Sequence, residues 1–171
     1  MKIFLIGYMG SGKSTVGKKL ARLLQMDFVD LDDYIEKEYG KSISDIFQQE
    51  GEKKFRELEH HYIQLLIERE VNLVIALGGG TPCFHDHMKL INDHGISVYL
   101  KMSVDGLVHR LMNGEEKRPL IQGMGAGDLK TYITEHLATR EPFYMQAHYK
   151  VKAKDMDVKE LAGFIEDRMK S

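Results

Sequence analysis

Gly7, Gly12, Lys13 and Ser14, within the stretch FLIGYMGSGKST from Phe4 to Thr15, satisfy the spacing G-x-x-x-x-G-K-[ST]. Glycines at this spacing let the main chain wrap closely around phosphate oxygens. The free N–H groups in the first turn of a following helix point at the same anion. Lys13 has the reach to meet the β- and γ-phosphates of a nucleotide, and the Ser14 hydroxyl is a hard oxygen ligand for Mg²⁺. Gly10, Ser11 and Thr15 complete the loop expected to hold the nucleotide. Such a loop holds nucleotide phosphates but names neither the acceptor nor the reaction.

A phosphate acceptor needs groups of its own. FVDLDD places Asp30 and Asp32 two residues apart after the second apolar run, at the edge where open α/β sheets bind ligands. One carboxylate there can orient water on Mg²⁺ and the other can accept a hydrogen bond from an attacking hydroxyl. The same cluster can cap the helix expected from Tyr34 onward. GEKKFRELE sets Arg56 and Glu59 on one helix face, which by itself reads as a surface ion pair worth roughly a few tenths of a kcal/mol. Gly78, Gly79 and Gly80 follow the third apolar run, either as a loose connection or as bare backbone for a ligand to approach. Arg118 in EKRPLI and Arg140 in TREPFY are either solvated or, in a phosphoryl-transfer enzyme, clamps for phosphate and carboxylate.

The elements that would position these groups follow from the apolar pattern. Short runs at Ile3–Ile6, Phe28–Val29, Leu73–Leu77, Ile96–Leu100 and Tyr149–Val151 alternate with amphipathic segments, the signature of βα units on a parallel sheet. Helices are expected over Lys13–Gln25, over Ile43–Glu70 with a break near Gly51, and over Asp86–His94, Val104–Met112, Leu129–Gln146 and Val158–Met169. NGEEKRPLIQGMGAGD, residues 113–128, reads as a mobile flap. A chain of 171 residues fits one domain, and the absence of repeats and linkers argues for a single unit. A net charge of −2 gives no general footprint for nucleic acid or anionic lipid. The first apolar run is too short for a membrane span, and one cysteine, Cys83, excludes an intrachain disulfide, so a cytoplasmic protein is expected.

Taken in order, GYMGSGKST, DLD, SISDIFQQEGEKKFRELE, LGGGT, RPL and REPFY resemble the shikimate kinase family, of the nucleoside-monophosphate-kinase-like P-loop fold. The resemblance runs from Ile3 to about Val151. It implies a three-layer fold with a central five-stranded parallel sheet of order 2-3-1-4-5, a substrate-binding region at about 31–60 and a lid at about 113–128. It also implies transfer of the ATP γ-phosphoryl group to the 3-hydroxyl of shikimate, with Mg²⁺, in the pathway to aromatic amino acids. On that resemblance Asp32 binds ring hydroxyls and accepts the proton, Arg56 and Arg140 hold the substrate carboxylate, and Gly78, Gly79 and Gly80 line its pocket. Glu59 orients Arg56, Arg118 reaches the phosphates from the lid, Arg110 packs on adenine, and Asp30 holds Mg²⁺ through water. A monomer acting on ATP and shikimate is the expectation.

The stretch VKAKDMD after the last run lacks the proline usual in that family's adenine loop, and no base contact is assigned there. CFHDH, Cys83 to His87, has no second ligand cluster and is expected to be structural rather than metal-binding, and the remaining histidines read as surface and core filling. The rival readings are a gluconate or nucleoside monophosphate kinase of the same fold, and a non-catalytic nucleotide-binding module.

Overall fold

The computed structural model describes residues 1–114 and 121–171. Every residue of KIFLI and of LVIA is buried, because these strands lie inside a parallel sheet covered by helices on both faces. In chain order the elements are β1 (Lys2–Ile6), α1 (Lys13–Leu24), β2 (Asp27–Asp30), α2 (Leu31–Tyr39), α3 (Ile43–Glu68) and β3 (Leu73–Ala76). A 3₁₀ turn (Thr81–Cys83), α4 (His87–His94), β4 (Ile96–Lys101), α5 (Val104–Asn113), α6 (Ala126–Tyr144), β5 (Tyr149–Lys152) and α7 (Val158–Met169) follow. The sheet has five strands in the order β2-β3-β1-β4-β5, all parallel, as expected.

The period of two along each strand divides the core. Phe4, Ile6 and Ile75 face α2, α3, α4 and α6, together with Leu31, Ile63, Ile91 and Ile133. Ile3, Leu5, Val74, Val98 and Leu100 face α1 and α7, packing on Leu20, Leu161 and Ile165. Side-chain caps start the helices that carry the site: Ser42 accepts from Asp45 N at 3.1 Å and Ser103 from Gly106 N at 3.1 Å.

Two helix starts differ from expectation, those of α2 and α6, while the expected break in α3 is present. Asp30 caps α2 by accepting from Asp33 N at 3.2 Å, so the helix begins at Leu31 rather than Tyr34 and Asp32 sits in its first turn. Within α3 the break falls at Gly51 itself, at φ 86° and ψ 168°. α6 begins at Ala126, so the last residues of the expected flap 113–128 are helical, and its residues 115–120, Arg118 included, lie outside the described residues. No helix among the described residues is long and apolar enough to cross a membrane.

Candidate active site

β1 ends at Ile6, and the chain turns immediately because Gly7 has no side chain. A Cβ there would stand 2.7 Å from Ser11 Oγ and 3.0 Å from the Leu100 carbonyl oxygen. Gly10 and Gly12 lie at φ 83° and 90°, the left-handed region that glycine enters at little cost. Gly12 also leaves room for Arg110 from α5, whose Nη1 is 2.6 Å from where a Cβ would be. Lys13 opens α1 and donates to the carbonyl oxygens of Gly7 at 2.6 Å and Tyr8 at 3.1 Å. Ser14 Oγ donates to Asp30 Oδ2 at 2.6 Å, joining the loop to the end of β2. Asp30 thus serves as both helix cap and partner of the loop.

The glycines after β3 face three charged side chains. A Cβ on Gly78 would lie 3.1 Å from Asp32 Oδ1, one on Gly79 3.0 Å from Arg140 Nη1, and one on Gly80 2.6 Å from Arg56 Nη2. The run is therefore a close-packed floor and not a loose connection. Tyr144 donates its hydroxyl to the Gly79 carbonyl oxygen from the end of α6. Tyr8 and His136 are hydrogen-bonded at 2.9 Å, tying the P-loop to the same helix that carries Arg140.

Arg56 and Glu59 do not form a surface pair. Arg56 is 9% exposed and Glu59 0%, and Arg56 Nη1 donates to Glu59 Oε1 at 2.6 Å. Thr81 donates its hydroxyl to Glu59 Oε2, and the guanidinium lies over Phe84 at 4.2 Å from the ring centroid. Two partners on Glu59 and a ring face under Arg56 fix the guanidinium in one orientation. Asp32 is half-buried, but its Oδ1 is buried without a hydrogen-bond partner. Burial pushes the Asp32 carboxyl up to about 7, helped by the negative charges of Glu59 and Asp30 and opposed by Lys13 and Arg56.

A cavity of about 630 Å³ joins the two halves. Gly10, Gly12, Lys13, Ser14, Thr15, Asp30, Asp32, Gly78, Gly79 and Arg110 line it, with Arg56, Gly80 and Arg140 adjoining the glycine floor. Ser11 stands behind the loop: it is buried, its N–H bonds to the Tyr8 carbonyl oxygen at 3.1 Å, and its hydroxyl packs against Gly7. Met9, Asp33, Glu36, Ile43, Leu77 and Leu111 also line the cavity without having been singled out from the sequence. Thr81 and Tyr144 lay within the motifs LGGGT and REPFY, but nothing local marked His136.

A P-loop at the carboxyl edge of a parallel sheet, sharing one cavity with a carboxylate and with a glycine floor that two arginines adjoin, defines a P-loop kinase of a small acceptor. The sequence matches the shikimate kinase family over residues 9–170. A shikimate kinase of Azobacteroides pseudotrichonymphae genomovar. CFP2 is 47% identical over 85% of this chain and 86% of its own. The crystal structure of shikimate kinase from Bacteroides thetaiotaomicron matches 100% of this chain and 99% of its own, at 38% identity and a TM-score of 0.91. Shikimate kinase from Acinetobacter baumannii, solved in complex with shikimate, matches 98% of this chain and 92% of its own, at 34% identity and a TM-score of 0.83. The chain belongs to the shikimate kinase family.

Proposed function

We infer that this protein transfers the γ-phosphoryl group of ATP to the 3-hydroxyl of shikimate, giving shikimate 3-phosphate and ADP. The observation that carries the reading is the convergence of Asp32, Arg56 and Arg140 on Gly78–Gly80, a glycine run whose Gly78 and Gly79 line the same cavity as Asp32 and the P-loop. Two guanidinium groups suit a single carboxylate in bidentate fashion, and an acceptor without a carboxylate would leave both desolvated and unmatched.

Phosphoryl transfer demands in-line positioning and stabilisation of charge more than covalent chemistry. The P-loop N–H groups and Lys13 hold the phosphates. Arg56, kept in place by Glu59, and Arg140 orient the acid so that its hydroxyl faces Asp32. With its carboxyl at about 7, Asp32 is ready to take the hydroxyl proton near neutral pH. From its place in the sequence, Arg118 meets the transferring group as part of a lid at about 113–128, and Arg110 flanks the base.

Ser14 and Asp30 fit Mg²⁺: they are two hard oxygen donors hydrogen-bonded at 2.6 Å beside the lysine that meets the phosphates. Among the described residues no group of three or more His, Cys, Asp and Glu could hold a metal ion, which suits a cation bound largely by nucleotide phosphates and water. When bound there, Mg²⁺ supplies charge neutralisation on the phosphate oxygens. The test is ADP release from MgATP with shikimate, gluconate, a nucleoside monophosphate or nothing added. Release that requires shikimate is expected. Release with another acceptor alone, or none with shikimate in a protein that binds ATP, overturns the reading.

A further inference from the structure

A chain of hydrogen bonds leads from two histidines outside the cavity to Arg56. His87, at the start of α4, is fully buried, and its Nδ1 lies 2.7 Å from the Thr81 carbonyl oxygen. A carbonyl only accepts, so Nδ1 carries the proton. In the neutral ring Nε2 is then a lone pair, and His60 Nδ1, 3.1 Å away, must be the donor to it. Thr81 gives its hydroxyl proton to Glu59 Oε2, and Glu59 Oε1 accepts from Arg56 Nη1 at 2.6 Å. Each bond has a single permitted direction.

The Thr81 carbonyl that His87 holds belongs to the 3₁₀ turn immediately after Gly78–Gly80. The hydroxyl of the same residue orients Glu59. Placement of the turn therefore fixes both the glycine floor and the carboxylate that aims the guanidinium. Buried hydrogen-bonded groups of this kind hold one geometry, whereas a missing member leaves a buried group unpaired. The two imidazole rings stack at 5.2 Å between centroids and 16° between planes, so His60 also fixes the plane of His87.

We propose that His87, oriented by His60, is a positioning residue for the acceptor-binding guanidinium of Arg56, acting through Thr81 and Glu59 without touching substrate. The proposal rests on the reading of Arg56 as a ligand of the acceptor carboxylate. A second proton on His87 would turn Nε2 into a donor facing the donor on His60. Burial, with His60, His85 and Arg56 nearby, holds the His87 pKa down to about 4, so the network persists at neutral pH.

The experiment is steady-state kinetics on the full chain, with KM measured separately for shikimate and MgATP at a temperature well below each variant's Tm. His87→Leu is expected to raise the shikimate KM about tenfold, the scale of a lost buried hydrogen bond, with the MgATP KM changed less than about twofold. His87→Asn, whose Nδ2 can stand where Nδ1 stood, should restore the shikimate KM to within about threefold of wild type. An unchanged shikimate KM in His87→Leu, an equal rise in both KM values, or no rescue by His87→Asn overturns the proposal. Should His87→Leu not fold, His60→Ala at its half-buried position carries the test, and must raise the shikimate KM alone. Arg56→Ala separates the two readings. An unchanged shikimate KM there overturns the acceptor assignment and the relay with it, whereas a raised KM there beside an unchanged one in His87→Leu overturns the relay only.

Discussion

Arg140 and Arg56 face neighbouring glycines, Gly79 and Gly80, but differ in what their removal leaves behind. Arg56 sits 9% exposed against a fully buried Glu59, so Arg56→Ala strands a carboxylate in the interior. Breaking one side of a buried pair costs about 3–5 kcal/mol. Arg140 is half-buried, and its guanidinium lies toward the Tyr8 ring at 5.8 Å. Both alanine variants are therefore expected to lose shikimate affinity, by about tenfold or more, through loss of a charge-assisted hydrogen bond. Only Arg56→Ala should also lose several kcal/mol in urea denaturation. Equal stability losses would mean that the Arg56–Glu59 pair carries no special burden.

Among the elements, α3 shows most directly how a local backbone feature places chemistry. Gly51 divides it into a first segment capped by Ser42 and a second that carries Arg56, Glu59 and His60. Its φ of 86° and ψ of 168° lie in a region open essentially to glycine alone. A Cβ at Gly51 would meet nothing within 4 Å, so the obstacle to alanine is backbone strain and not collision. Gly51→Ala is expected to lower stability by about 1–3 kcal/mol, read from the denaturation midpoint. A variant as stable as wild type would show that the two segments can meet at another angle. Because Arg56 follows the bend by little more than one turn, a straightened α3 should also raise the shikimate KM.

At the scale of the whole molecule, the buried groups couple stability to pH. His87 has a folded pKa of about 4 against an unfolded value near 6.5, so between these values the unfolded chain binds more protons. Stability from this group is complete above about pH 6.5 and is lost as pH falls toward 4, by up to about 3 kcal/mol. Asp32 has the opposite sign. Its raised pKa, about 7, means that the folded state binds more protons over an overlapping window, so its contribution declines as pH rises. The two oppose each other in the wild type. The informative measurement is the stability difference between wild type and His87→Asn from pH 7.5 to 4.5. The wild type should lose about 2–3 kcal/mol more than the variant over that span. A difference that does not change with pH would show that His87 is not held neutral.

The sequence by itself determined the nucleotide loop and the sheet. The loop is a contiguous stretch between Gly7 and Thr15, and strands buried on both faces, such as Phe4–Ile6 and Leu73–Ala76, must be unbroken apolar runs. The kink at Gly51 was legible for the same reason, since it depends on one residue's φ and ψ. The roles proposed for Arg56 and Arg140 came from resemblance, because three residues' spacing on a helix does not say whether a polar pair faces water or the core. Only the tertiary structure decided that Glu59 is buried, that Asp32 carries an unpartnered oxygen, that Tyr8 meets His136 across 128 residues, and that His87 anchors the turn behind Arg56. These contacts are created by packing α3, α4 and α6 against the carboxyl edge of the sheet. No stretch of chain encodes locally a geometry that arises only when distant elements share one core.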